Sequence, residues 1–292
     1  MELVITLIAD ENCNILSSTD ITSVREHFKA SSPSWLANEI ACDLYCEGDL
    51  EVQRAKAKKL FAGKKIDAVV QPTQNRKKKL LLADMDSTIL TGESLDDLAE
   101  FAGLKDKVGS ITFRAMRGEI DFEEALRARV QMLQGLPEKF LEDTWSKSAF
   151  TPGARELIAT MGKNGARCVL VSGGFRFFTQ RVARTLGFHD DFANDLILKE
   201  GRLTGEVKEP ILQKENKLLI LRKMIDRMGI DKTESMTVGD GANDLPMILA
   251  AGLGIAYHAK PLVEAQAPVC IRHTNLASLL YLQGYTQSQF VI

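Results

Sequence analysis

The chain has 292 residues, more than one compact domain usually holds, so two units or a core with a large insertion are expected and a short solitary binding module is excluded. Its 45% hydrophobic and 26% charged content excludes dominant disorder. Thirty-seven Lys and Arg against 39 Asp and Glu, a formal charge of −2, give no overall electrostatic bias toward nucleic acid or an anionic membrane. No uncharged apolar stretch reaches the roughly 20 residues that span a bilayer. The longest, Met247 to Ala259, carries a histidine and two glycines. Met1-Glu2-Leu3 lacks the basic opening of a secretory signal and Asp10-Glu11 cuts the following apolar run short, so a cytoplasmic location is expected. Five cysteines, an odd number without a dense framework, read as reduced thiols.

In chain order, Leu3 to Ala9 reads as a strand, Asp20 to Phe28 as a helix, Leu36 to Cys46 as a strand region, Leu50 to Phe61 as a helix and Ile66 to Val70 as a strand. This is a small βαβαβ-like α+β unit over residues 1–75. Pro72 to Lys79 has linker composition, and its run Arg76-Lys77-Lys78-Lys79 is expected to be solvated. Residues 76–292 then alternate short apolar strands with helices, the signature of a doubly wound, Rossmann-like α/β core with a parallel sheet. The strands are Lys79 to Ala83, Arg167 to Val171, Ser235 to Val238, Gly254 to Tyr257 and Val269 to Ile271. Helices Phe177 to Leu186, Lys217 to Met228 and Asp244 to Ala251 each run into a glycine suited to a C-cap: Gly187, Gly229 and Gly252. Between the first two strands, about 92–150, lies an inserted helical cap. There Leu95 to Ala102 is one helix, Asp121 with Glu124 opens a second, and Leu136-Pro137 a third. Thr151-Pro152-Gly153 reads as an N-cap with proline at the first helical position.

The chemistry concentrates at strand ends. Leu80-Leu81-Leu82-Ala83-Asp84-Met85-Asp86 puts two carboxylates at the carboxyl edge of a parallel sheet, where such proteins form their ligand crevice. Magnesium explains two acids there, since its hard charge prefers one or two carboxylates plus water and phosphate oxygens. One carboxylate can then attack phosphorus while its neighbour shuttles the proton. Gly239-Asp240-Gly241-Ala242-Asn243-Asp244 follows another strand, and Asp240 is the natural second metal carboxylate. Ser172-Gly173-Gly174 ends a third strand as a seat of phosphate donors, and Lys217 supplies a cation, with Lys214 a competitor by composition.

Asp84-Met85-Asp86-Ser87-Thr88, Ser172, Lys217 and the Gly239–Asp244 segment resemble the four ordered motifs of the haloacid dehalogenase superfamily. Cap segments, namely Glu93, Met116 to Phe122, Leu126 to Arg129 and Gly135-Leu136-Pro137, are similar to those of its phosphoserine phosphatases. The resemblance covers roughly residues 79–292. It implies Asp84 as the nucleophile that becomes an aspartyl-phosphate and Asp86 as the general acid and base. It implies Mg2+ held by Asp84, Asp240 and the Asp86 carbonyl, with Asn243 and Asp244 supporting, Asp244 through a metal-bound water. Ser172, Gly173 and Lys217 would hold the phosphoryl oxygens. Phosphoserine also carries an ammonium and a carboxylate, which Glu93 and the Arg129 fork suit, while Met116 and Phe122 offer an apolar wall. The N-terminal order is similar to ACT-type small-molecule-binding domains, with a dimerisation or regulatory role. The expected function is Mg2+-dependent hydrolysis of O-phospho-L-serine, the last step of serine biosynthesis, with neither nucleic acid nor membrane as partner. The alternatives are a phosphatase or phosphotransferase for another small amino-containing phosphate, and a catalytically silent sensor of phosphorylated metabolites, which intact Asp84 and Asp86 disfavour.

Overall fold

The computed structural model describes residues 1–10, 15–116 and 119–292. The N-terminal unit runs β1 (Glu2–Ala9), α1 (Ser18–Phe28), β2 (Ser34–Ala37), β3 (Ala41–Glu47), α2 (Leu50–Leu60) and β4 (Ile66–Pro72), with an antiparallel sheet of order β2-β3-β1-β4. Period-two alternation in β1 sends Leu3, Ile5 and Leu7 toward Ile21, Val24 and Phe28 of α1, and Ile8 toward the rest of the molecule. The expected single strand region at Leu36 to Cys46 is instead a hairpin. Ala37 pairs with Ala41 and the chain reverses at Glu39, whose φ is 56°. The order is therefore βαββαβ, a separate small α+β unit.

The core begins with β5 (Leu80–Ala83) and a turn over Met85–Ile89, and continues through α3 (Ser94–Phe101), α4 (Lys105–Met116), α5 (Phe122–Gln131), α6 (Lys139–Lys147) and α7 (Ala154–Lys163). It then runs β6 (Arg167–Phe175), α8 (Arg176–Leu186), β7 (Asp190–Asn194), β8 (Leu196–Lys199), β9 (Arg202–Val207) and α9 (Lys214–Met228). It closes with β10 (Ser235–Gly239), α10 (Leu245–Ala250), β11 (Leu253–Tyr257), α11 (Pro261–Gln266), β12 (Val269–Ile271) and α12 (Ser278–Leu282). Six strands form a wholly parallel sheet of order β12-β11-β10-β5-β6-β7. Leu81, Cys168 and Leu170 pack under α7, α8 and α12, while Leu80, Leu82, Val169 and Val171 pack under Leu221 and Met224 of α9. With both faces buried, the strands read as continuous apolar runs rather than alternating ones.

Several local expectations change. The edge strand β7 escapes the sequence because Asp190-Asp191-Phe192-Ala193-Asn194 has no apolar run; its acids are used sideways, Asp190 by Arg167 Nε and Asp191 by Thr179 Oγ1, both at 2.6 Å. The β8–β9 hairpin was equally hidden. Gly135 N donates to Leu203 O at 2.8 Å and Pro137 bridges Arg202, so chain from beyond β7 closes one side of the helical cap. The cap of α7 is Gly153, at φ 81°, not a threonine followed by proline at the first helical position. A Cβ there would lie 2.2 Å from Ala277 N, so only glycine admits this approach. Gly252 does not cap α10, which ends in an extended Ala251; it lets the chain pass Thr233, whose Cα would lie 2.5 Å from a Cβ.

The basic linker is solvated only in part: Lys77 and Lys79 are exposed, whereas Arg76 and Lys78 turn inward. Arg76 is mostly buried and donates to both Asp43 oxygens at 2.6 Å, to Leu282 O at 2.8 Å and to Tyr281 O at 3.0 Å. Buried Lys78 donates to Asn75 O and Thr233 O, both at 2.7 Å, and burial pushes its ammonium down to about 8. Carbonyls and a carboxylate presented by both units replace the water these cations give up. Among the described residues no helix is long and apolar enough to cross a membrane.

Candidate active site

Strand β5 lies between β10 and β6, so the carboxyl ends of three adjacent strands open on one edge. Asp84, Asp240 and Ser172 leave the sheet there, as the crevice rule for open α/β sheets requires. Asp84 N donates to Val238 O at 3.0 Å, which ties the first acid to β10. The chain then turns sharply, with Ser87 at φ 55°. This folds Asp86 back onto the start of α3, where its carboxylate accepts from Ser94 N at 3.0 Å and Ser94 Oγ at 3.2 Å. Glu93, the residue before that helix, accepts from Ser87 Oγ at 2.8 Å. A Cβ on Gly174 would lie 2.9 Å from Asp86 Oδ2, so glycine is what lets β6 pass beside this acid.

Lys217, 1% exposed, places its ammonium 2.8 Å from Asp84 Oδ1 and 2.5 Å from Asp244 Oδ1. Met85 N also donates to Asp84 Oδ1 at 2.8 Å, and Gly241 N to Asp244 Oδ2 at 3.0 Å. Gly239 passes so close to Asp244 that a Cβ would lie 2.4 Å from its Cγ. Thr88 Oγ1 donates to Asp240 Oδ1 at 3.4 Å, and Lys260 Nζ lies 3.8 Å from Asp240 Oδ2. Asn243 sits half-buried beside Asp244.

These surroundings reset the protonation of the group. Burial and Asp244 push Asp84 well above the ordinary carboxylate range, against the pull of Lys217. Burial and Glu93 raise Asp86 to about 7; burial and Asp244 raise Asp240 to about 6. Burial alone would lower the Lys217 ammonium, but Asp244 and Asp84 hold it well above its usual range. Oxygens of Asp84, Asp240 and Asp244 all lie within 4.8 Å of one another. Three buried carboxylates against the ammoniums of Lys217 and, farther off, Lys260 leave an excess of negative charge. All their donor atoms are hard oxygens, so the set fits a cation of the magnesium type.

Ser172 Oγ accepts from Gly174 N at 2.8 Å, and Gly173 O accepts from Asn194 Nδ2 at 2.8 Å. Phe122 of the cap reaches over this turn, its Cζ 3.2 Å from where a Gly173 Cβ would stand. Arg129 is half-buried, donates to Ala125 O at 3.2 Å, and feels Asp96 and Glu93 as its counter-charges. Asp84, Asp86, Glu93, Phe122, Ser172, Gly173, Lys217, Asp240, Asn243 and Asp244 thus gather at one sheet edge. Arg129 lies on α5, within the electrostatic reach of Glu93. Met116 ends α4, and its side chain lies outside the described residues, as does that of Lys214. Sequence reasoning placed Thr88 in the first motif without its bond to Asp240, and missed Ser94, Asn194 and Lys260. Ser94 carries one local signal, an N-terminal helix position after the acid pair; Asn194 and Lys260 approach only through the tertiary fold.

The haloacid dehalogenase-like hydrolase family matches residues 81–249. The chain belongs to this family, a class of hydrolases. Within it, the chain is 44% identical over 216 residues to a phosphoserine phosphatase of Archaeoglobus fulgidus, a match over 73% of this chain and 63% of that protein. The chain thus spans somewhat under two thirds of that relative's length. A probable phosphoserine phosphatase of Schizosaccharomyces pombe is 40% identical, with 83% of each chain covered. The crystal structure of a HAD family hydrolase from Salmonella enterica serovar Typhi superposes with a TM-score of 0.87 at 27% identity, covering 96% of this chain and 98% of that one.

Proposed function

We propose that the chain is a Mg2+-dependent phosphoserine phosphatase that releases L-serine and phosphate through an aspartyl-phosphate on Asp84. One observation carries the reading: Asp84, ion-paired with buried Lys217, and Asp86, held away from it by Ser94, are two residues apart in sequence but differently bonded. Divided environments of this kind give two neighbouring carboxylates separate roles.

In this reading Asp84 attacks phosphorus as the serine oxygen leaves with the proton of Asp86. Asp86 then takes a proton from the water that hydrolyses the acyl phosphate. Lys217 balances the phosphoryl charge, and the Ser172 hydroxyl and Gly173 backbone orient its oxygens, since phosphoryl transfer rests on positioning and charge stabilisation. Asp84, Asp240 and the Asp86 carbonyl would hold Mg2+, with Asp244 supporting them through a water, and the ion would supply further charge stabilisation at the phosphoryl oxygens. Glu93 takes the substrate ammonium, Arg129 its carboxylate, and Phe122 with Met116 excludes water. The names of the Archaeoglobus and Schizosaccharomyces relatives support the choice of substrate. We further assign residues 1–75 to an ACT-like unit with a dimerisation or regulatory role, and place the activity in the cytoplasm at the end of serine biosynthesis.

The test is phosphate release from L-phosphoserine beside phosphothreonine, a sugar phosphate and p-nitrophenyl phosphate, with Mg2+ and with a chelator. Mg2+-dependent turnover favouring phosphoserine is expected. Preference for another substrate would discard the roles of Glu93 and Arg129, and absence of any turnover would leave a silent phosphometabolite sensor.

A further inference from the structure

We infer that Asp67, on β4 of the N-terminal unit, is a positioning residue for Asp240, acting through the turn at residues 272–274, His258 and Lys260. The inference rests on the reading of Asp240 as a metal-holding carboxylate. Asp67 is 3% exposed, and its carboxylate accepts from Arg272 N at 2.9 Å, His273 N and Thr274 N at 3.1 Å, and Thr274 Oγ1 at 2.8 Å. A side chain from one unit thus satisfies three successive backbone donors of the other. The far side of that turn is used as well, because Thr274 O accepts from His258 Nε2 at 2.9 Å. A carbonyl only accepts, so Nε2 carries the hydrogen.

His258 follows β11 and has φ 42°, a left-handed conformation that a non-glycine residue adopts at a cost. Two bonds hold it there: its ring to Thr274 O, and its N–H to Ile271 O at 2.8 Å. Two residues on, Lys260 N donates to Asp240 O at 3.0 Å, and its ammonium lies 3.8 Å from Asp240 Oδ2. Every step from Asp67 to Asp240 is therefore a hydrogen bond or a short stretch of chain. Docking of the units does not by itself require this carboxylate, since Arg76 and Asp43 already join them. What Asp67 adds is the placement of the 272–274 turn, and with it the 258–260 loop.

The test uses the full chain and compares wild type with Asp67→Asn, Asp67→Glu and His258→Asn. His258→Asn keeps a residue tolerant of the left-handed conformation but removes the ring bond. Val24→Ala, a change in the helix-side core of the N-terminal unit away from the turn, controls for loosening alone. Mg2+ affinity is measured by isothermal titration and by the rise in melting temperature on adding Mg2+, and kcat and KM are measured for phosphoserine. Asp67→Asn and His258→Asn should each weaken Mg2+ binding about tenfold and lower kcat more than they raise KM. Asp67→Glu should recover part of the loss, and Val24→Ala should lower the melting temperature without changing Mg2+ affinity. Wild-type Mg2+ affinity in His258→Asn, or equal loss in Val24→Ala, would overturn the inference; so would wild-type affinity in Asp67→Asn. The titration needs no turnover, so a wild type that binds Mg2+ but leaves phosphoserine intact would sink the substrate reading alone.

Discussion

With its ammonium between Asp84 and Asp244, Lys217 does two jobs that composition cannot separate. It offsets the negative charge of the cluster, and it fills the space between α9 and the ends of β5 and β10. Lys217→Met keeps the packing but leaves buried carboxylates without their cation, so equilibrium urea unfolding should show a loss of about 3–5 kcal/mol. A variant as stable as wild type would mean that the site relaxes around carboxylates that have lost their cation. Arg129 belongs to a different chemistry. Arg129→Ala should raise KM for phosphoserine about tenfold or more while sparing p-nitrophenyl phosphate, which has no carboxylate for the fork. Equal loss on both substrates would remove Arg129 from recognition. Burial pushes the thiols of Cys42 and Cys168 up to about 12, above the free range, so both stay neutral at pH 8 with about a thousandth of a free thiol's thiolate. Mass spectrometry after iodoacetamide treatment at pH 8 should find these two unmodified in the native chain and alkylated in urea. Rapid native labelling would contradict their burial.

At the scale of elements, legibility follows burial. Strands β5, β6, β10, β11 and β12 stand out because both faces of the sheet are covered, which makes them largely apolar, with Ser235 and Thr237 of β10 the exceptions among buried positions before the site. Strand β7 does not, because Asp190 and Asp191 are spent on lateral bonds to Arg167 and Thr179 and leave it no apolar run, whereas the opposite edge strand β12 keeps Val269 and Ile271. The β8–β9 hairpin is hidden for a related reason: its half-exposed residues pack on α5, an element 65 or more positions earlier. The acid pair was legible because it directly follows a strand, whereas the support that Ser94 gives Asp86 depends on the Ser87 reversal. Gly153 illustrates the same limit, since its glycine is dictated by Ala277, far along the chain. Gly153→Ala should therefore lower the melting temperature by several degrees, through a left-handed φ and a blocked approach that together cost about 2–4 kcal/mol. An unchanged melting temperature would show that the α7–α12 approach is adjustable.

For the whole molecule, the joint between the N-terminal unit and the core combines apolar packing of Ile8, Leu36 and Val69 with a buried ion pair. Arg76, which composition assigned to a solvated linker, meets Asp43, whose side chain is 2% exposed, and the carbonyls of Tyr281 and Leu282 in the last turn of α12. Arg76→Met should destabilise the chain by about 3–5 kcal/mol, because it strands a buried carboxylate rather than merely removing an ion pair. Arg76→Lys should recover little, having no fork to match both oxygens. Chemical denaturation followed separately by Trp35 and Trp145 emission reads the two units. Full recovery by lysine would show that charge alone, not geometry, makes the joint.

The insertion of the cap between β5 and β6 has a kinetic consequence. Leu80 pairs with Arg167, so the sheet's central ladder joins residues that the cap holds far apart in sequence, whereas Met236 and Leu253, on β10 and β11, face each other after a single short helix. Contacts of long separation form late, because the entropy of closing the loop is lost before the contact rewards it. The strand that carries Asp84 is thus among the last to be enclosed. During refolding, catalytic competence should return after helical signal has recovered, as the end point of assembly rather than its seed.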